Sequence, residues 1–207
     1  MNENTYIRIP NNFFDRSPLA VAPDLLGKVL YHKVGECWLT AQIIETEAYL
    51  LTDRASHASL GYTEKRKALF MPAGTIYMYY ARGGPSLNFS CQGLGNAVLI
   101  KSAVVYPFEN PDPKLVSLMQ ELNPCNGRMR EITRLCSGQT LLCRSLGIKV
   151  ADWDQQQLDD TKLFLGDVGD KPMQILQMPR LGIPKGRDED LPYRFIDKKF
   201  IRYTTKG

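Results

Sequence analysis

The stretch Ile43-Ile44-Glu45-Thr46-Glu47-Ala48-Tyr49 constrains this chain more than any other. Its alternation reads as a β-strand. With a side-chain period of two, Ile43, Glu45, Glu47 and Tyr49 are expected on one face. Gln42, Ile44, Thr46 and Ala48 are expected on the other. Two carboxylates and a phenol beside isoleucine are costly to bury, unless a site uses or pairs them. A long loop follows and delivers His57. Next comes Gly74-Thr75-Ile76-Tyr77-Met78-Tyr79-Tyr80-Ala81-Arg82-Gly83-Gly84, with three tyrosines in four residues. Carboxylate, aromatic rings and arginine are what an enzyme needs to stack a planar ring and attack beside it.

A chain of 207 residues suits one domain with a sizeable core, here taken as residues 1–207. There is no internal repeat and no long apolar run, so neither a solenoid nor a membrane span is expected. The first residues lack a basic stretch followed by an apolar one, which speaks against a secretory signal and for a cytoplasmic protein. The cysteines are Cys37, Cys91, Cys125, Cys136 and Cys143, an odd, scattered set without C-x-x-C, which fits a reducing compartment. With His32 and His57 the only histidines, zinc and iron–sulfur sites have poor support, and no cofactor or metal is expected. Cys136 and Cys143 lie one heptad apart, spacing for a shared helical face.

Net charge is +4, and its placement matters more than its size. From Arg180 to Gly207 eight basic residues face four acids, an excess equal to that of the whole chain. Such a segment fits a polyanionic partner. On charge alone a solvated surface explains it as well.

Residues 18–34 read as a short helix into a strand, 38–49 as the acidic strand, and 50–73 mostly as loop. Strands are expected at 75–80, 97–105, 173–177 and 193–203. Helices are expected at 112–122, from the i, i+3, i+4, i+7 spacing of Leu115, Leu118, Met119 and Leu122, and at 138–146, stopped by Gly147. Residues 149–165 are polar and ambiguous. Strands come in local runs, which predicts an α+β domain.

Glu45 and Glu47 admit two readings: a pair bridged to arginine or lysine, or one general base beside a neighbour that is paired elsewhere. Aromatic stripes on strands are more often core than ligand platforms, but Tyr49, His57, Tyr77, Tyr79 and Tyr80 keep company with carboxylates and Arg82-Gly83-Gly84. No phosphate loop, dinucleotide fingerprint or G-x-S-x-G elbow occurs.

At this point the residues resemble a known family. The strings E-T-E-A-Y, F-M-P-A-G-T-I-Y-M-Y, N-F-S-C-Q-G and L-C-S-G-Q-T-L-L-C-R-S-L-G-I follow the pattern of the 3-methyladenine (alkyladenine) DNA glycosylases. So do the opening F-F-D-R-S-P-L-A-V-A-P-D-L-L-G-K-V-L and the closing P-R-L-G-I and L-P-Y-R-F-I. The match runs from about Phe13 to about Ile201. The resemblance implies a mixed domain around a curved antiparallel sheet with flanking helices. It implies a monomeric repair enzyme that acts on double-stranded DNA containing damaged purines, flips the nucleotide out, and hydrolyses the bond to the base.

Carried over residue by residue, the resemblance makes Glu47 the general base for water. Tyr49, His57 and Tyr79 hold the base, Asn88 screens its edge, and the backbone carbonyl at Leu181 helps hold the water. Lys101 stands where better-known members carry an arginine beside the water. Arg82 stands where they carry a tyrosine that fills the gap left by the flipped nucleotide. The segment between Tyr79 and Asn88 is one residue shorter, which leaves Tyr80 as the second candidate wedge. The loop 184–192 also departs from the pattern. A lesion-binding module without chemistry and an N-glycosidase of free nucleosides remain as alternatives.

Overall fold

The computed structural model describes residues 6–81 and 83–205. Strand β3 (Cys37–Tyr49) is the spine of the molecule. Its first half pairs antiparallel with β2 (Val29–Val34), and its far end, Glu45 to Glu47, pairs with β9 (Arg194–Asp197). Along its other edge it pairs with β6 (Ala97–Val105). The sheet extends through β5 (Gly84–Ser90) to β4 (Ile76–Ala81) on one side, and through β7 (Leu163–Asp167) to the short β1 (Ile7–Arg8) on the other. Strand β8 (Ile175–Met178) hangs on β9. All nine strands pair antiparallel in one open sheet, flanked by helices: a single α+β domain.

The helices cover one face of the sheet. α1 (Pro18–Asp24) starts at Ser17, whose hydroxyl accepts from the Leu19 amide, with Pro18 in the first-turn position where its missing N–H costs nothing. α2 (Pro113–Leu122) is capped in the same way by Asp112. α3 (Gln139–Leu146) ends at Gly147 in the left-handed conformation, φ 70°. A one-turn α4 (Val150–Trp153) follows. Helices α1 and α3 and the central strands bury one apolar cluster that includes Val21, Leu25, Ile43, Ile100, Leu142 and Leu146.

The simple alternation expected of β3 fails, and the failure builds the site. Leu39, Ala41 and Ile43 face the helix-covered core, but so does Ala48, which has the opposite parity. Thr46 turns the same way and donates its hydroxyl to the Ala22 carbonyl of α1. Ile44 instead joins Val104 and Phe200 on the other face. Pairing with β6 is irregular between Ile43 and Thr46, so that Glu45 pairs with Ser102 while Ile43 keeps Ala103 and Thr46 keeps Ile100. Each strand therefore carries one extra residue, and both change phase together. Ile43 does not share a face with the acids. Ile44 and Glu45 are neighbours on the outer face, as are Lys101 and Ser102.

Other expectations need correction. The segment 193–203 is strand only to Asp197, and Lys198–Tyr203 continues as a 3-10 helix. The loop 50–73 carries 3-10 turns at His57–Leu60 and Glu64–Phe70. Cys136 lies in the turn before α3 and shares no helix with Cys143. Both are buried, and burial pushes the Cys136 thiol up to about 12.

Candidate active site

A cleft of about 970 Å³ opens on the outer side of β3 and β6. Tyr49, His57, Tyr79, Tyr80, Asn88, Lys101 and Leu181 all line it. Residues separated by more than a hundred positions in sequence are thus brought to one wall. Arg82 lies outside the described residues. Helix α3 supplies the opposite rim through Gln139, Thr140, Leu141 and Arg144. It approaches closely only because residue 84 is glycine: a Cβ there would sit 2.3 Å from the Thr140 side chain.

Glu47 is fully buried and sits beneath this lining. Three groups hold its carboxylate. The Tyr49 hydroxyl donates to Oε2 at 2.7 Å. The Leu181 amide donates to Oε1 at 3.2 Å. Lys101 Nζ lies 3.3 Å from Oε1 and 3.4 Å from Oε2. Two hydrogen-bond donors and an ammonium fix this carboxylate in one orientation. The Leu181 backbone therefore meets Glu47 through its N–H.

Glu45, equally buried, has a separate set of partners. Arg194 Nε donates to Oε1 at 2.5 Å. Ser102 Oγ and the Thr205 amide donate to Oε2 at 2.5 and 3.0 Å. This carboxylate ties β9 and the end of the chain to the sheet. Of the basic segment after Arg180, both Arg194 and Arg180 itself are spent on buried ion pairs. Its surface excess is smaller than the sequence count implied.

The aromatic groups form a connected wall. The His57 ring lies 4.4 Å from that of Tyr79, and Tyr77 stacks on Tyr79 at 5.3 Å and 25°. His57 Nδ1 and the Tyr77 hydroxyl share a hydrogen bond of 3.0 Å. Burial, and then the charges of Arg66 and Arg187, lower the His57 pKa and favour the neutral ring. Burial raises that of Tyr49 well above its ordinary value, and the Glu47 charge adds to it, so the phenol stays a donor. Asn88 donates through Nδ2 to the Tyr77 carbonyl at 3.0 Å, which leaves its amide oxygen for a ligand. Tyr80, 65% exposed, stands at the cleft mouth.

Sequence reading overlooked three contributors: Arg180, Asp53 and α3. Arg180 stood in the sequence as a basic residue of the tail and inside the string P-R-L-G-I, with no role attached to it. The loop burial that turns it inward has no signal in sequence.

The cleft combines a stacking wall, a fixed carboxylate and cationic rims. The methylpurine-DNA glycosylase (MPG) family model matches residues 12–200. The chain belongs to the methylpurine-DNA glycosylase family. A Pseudomonas aeruginosa protein named "Putative 3-methyladenine DNA glycosylase" is 59% identical over 200 residues, 96% of this chain and 84% of the relative. Relatives of the same name from Pseudomonas syringae pv. syringae and Koribacter versatilis are 56% identical over 200 residues and 32% identical over 192. They cover 96% and 91% of this chain, and 90% and 88% of their own lengths. The family model spans strands β2 to β9 of this glycosylase and the stretches of chain that carry the lining residues named above.

Proposed function

We propose that this DNA glycosylase flips a damaged purine out of duplex DNA into the cleft and hydrolyses its N-glycosidic bond with water activated by Glu47. It leaves an abasic site and does not cut the strand. The observation that carries the reading is the placement of Glu47 directly behind Tyr49, Lys101 and Leu181, three groups that face the cleft.

The chemistry follows from charge. Stacking on tyrosine and histidine faces stabilises a flipped base by ~1–3 kcal/mol. An alkylated purine is cationic, which adds attraction to the electron-rich rings and makes the base a good leaving group. The sugar then acquires oxocarbenium character. A fixed carboxylate stabilises that charge and takes the proton of the attacking water.

The test is single-turnover excision of 7-methylguanine from a duplex. Glu47→Gln keeps the shape of the side chain and removes the base. It is expected to lower excision by ~10²–10⁴-fold while lesion binding persists. Near-normal excision by the variant refutes the assignment. Release from duplex but not from free nucleoside separates this enzyme from a nucleoside hydrolase.

A further inference from the structure

Arg180 is a buried cation beside the cleft that the proposed reaction leaves unexplained. Its side chain is fully buried. Nη1 donates to the Ala48 carbonyl and to Asp53 Oδ2, each at 2.8 Å. The guanidinium carbon stands 4.6 Å from the Tyr49 ring centre and 5.4 Å from that of Tyr193. Nε and Nη2 have no hydrogen-bond partner among the described residues. Asp53 Oδ2 also accepts from the Leu50 amide at 2.9 Å. The next residue, Leu181, donates its amide to Glu47. Two consecutive loop residues therefore grip three consecutive residues of β3: Arg180 takes Ala48 and the ring of Tyr49, and Leu181 takes Glu47.

We propose that Arg180, held by Asp53, is the positioning residue of the Glu47 carboxylate. It fastens the loop so that the Leu181 N–H meets Oε1, and it backs the Tyr49 ring so that the phenol meets Oε2. The proposal rests on the reading of Glu47 as the base. A buried ion pair does little for stability that well-packed apolar side chains would not do. What apolar side chains cannot supply is a planar group that packs on an aromatic face while donating sideways to a carbonyl and a carboxylate. Lysine, a point charge on a flexible stem, cannot supply it either. Tyr49 and Leu181 bring two of the three donors on Glu47, so release of this loop frees the carboxylate to rotate away from its working direction.

The test is a double-mutant cycle read by single-turnover excision of 7-methylguanine at saturating protein, with duplex affinity and melting temperature measured alongside. Arg180→Lys is expected to slow excision by ~10–100-fold, the scale of a small misplacement of a reacting group. Lesion-duplex affinity is expected to change little. In a Glu47→Gln background Arg180→Lys is expected to cost nothing more, because the group it positions is already gone. An undiminished further loss in that background, or an unchanged rate in the folded single variant, overturns the proposal. If Arg180→Lys does not fold, Arg180→Gln with Asp53→Asn removes both buried charges and enters the same cycle. Failure of both to fold overturns the proposal in favour of a purely structural ion pair. If Glu47→Gln itself excises normally, the reading of Glu47 fails, which is a distinguishable result.

Discussion

Glu45 and Glu47 are two positions apart, equally buried, and answer to different partners. Glu45 meets a guanidinium, a hydroxyl and a backbone amide that belong to the frame of the domain. Glu47 meets three groups that reach the cleft wall. Glu45→Gln is therefore expected to lower stability and to spare chemistry, since it leaves Arg194 buried beside a neutral amide. Loss of one partner of a buried pair costs about 3–5 kcal/mol, visible as a lower melting temperature. Excision by the folded variant is expected to stay within the range of the parent and far above that of Glu47→Gln. Lys101 raises a second question at this scale, because an amine near the sugar carbon is able to form a Schiff base and cut the strand. In the structure Nζ is engaged by both oxygens of Glu47, and an ammonium has no lone pair with which to attack. Borohydride is accordingly expected to trap no protein–DNA adduct, and Lys101→Arg to retain substantial excision. An adduct that disappears in Lys101→Arg would contradict both expectations.

The elements that dominate local sequence were legible and those that borrow their order from neighbours were not. β6 was read at its true limits because nine buried residues run without a turn signal, and α3 because Gly147 stops it. β5 escaped notice: its Gly-Pro-Ser start resembles a loop, and it is a strand only because β4 and β6 flank it. β7 was hidden in a polar stretch for the same reason. The residues proposed for the site were singled out through motif likeness and two acids on one strand face, but their arrangement depends on paired irregularities that a period of two cannot express. β2 and α4 meet through another group the sequence left unassigned. Trp153 Nε1 donates to His32 Nε2 at 3.2 Å, and His32 Nδ1 donates to the Leu146 carbonyl at 2.6 Å. Indole only donates, so Nε2 must be unprotonated. Burial lowers the His32 pKa below 6.5, as it does for His57. Both rings thus bind protons less readily when folded than when unfolded. Stability is fully present above about pH 6.5 and declines as pH falls below it, toward the folded-state values. Thermal melts between pH 7.5 and 5.5 are expected to record that decline, and His32→Gln is expected to flatten part of it. A melting temperature that holds steady or rises on acidification would rule this out.

On the scale of the whole molecule, the cleft opens between the outer face of β3 and β6 and the helical rim of α3, with Lys101, Arg144 and Arg187 along its walls. Cationic walls suit a phosphate backbone, and binding to duplex is expected to weaken steeply with salt. Tyr80 stands exposed at the cleft mouth and is one candidate to fill a vacated base position; Arg82 is the other. Tyr80→Ala and Arg82→Ala are to be compared on lesion-bearing and undamaged duplexes. The wedge is the residue whose loss weakens lesion binding selectively, by ~1–3 kcal/mol if an aromatic stack is removed. A residue that weakens both duplexes equally is a phosphate contact only. The paired extra residues in β3 and β6 have one more consequence. They give each strand two reading frames, one that feeds the helix-covered interior and one that feeds the cleft, joined at Glu45 and Ser102. Transplanting the proposed catalytic side chains alone onto a regular hairpin would reproduce the letters of this site without its grammar. The portable unit is the pair of strands together with their interruption.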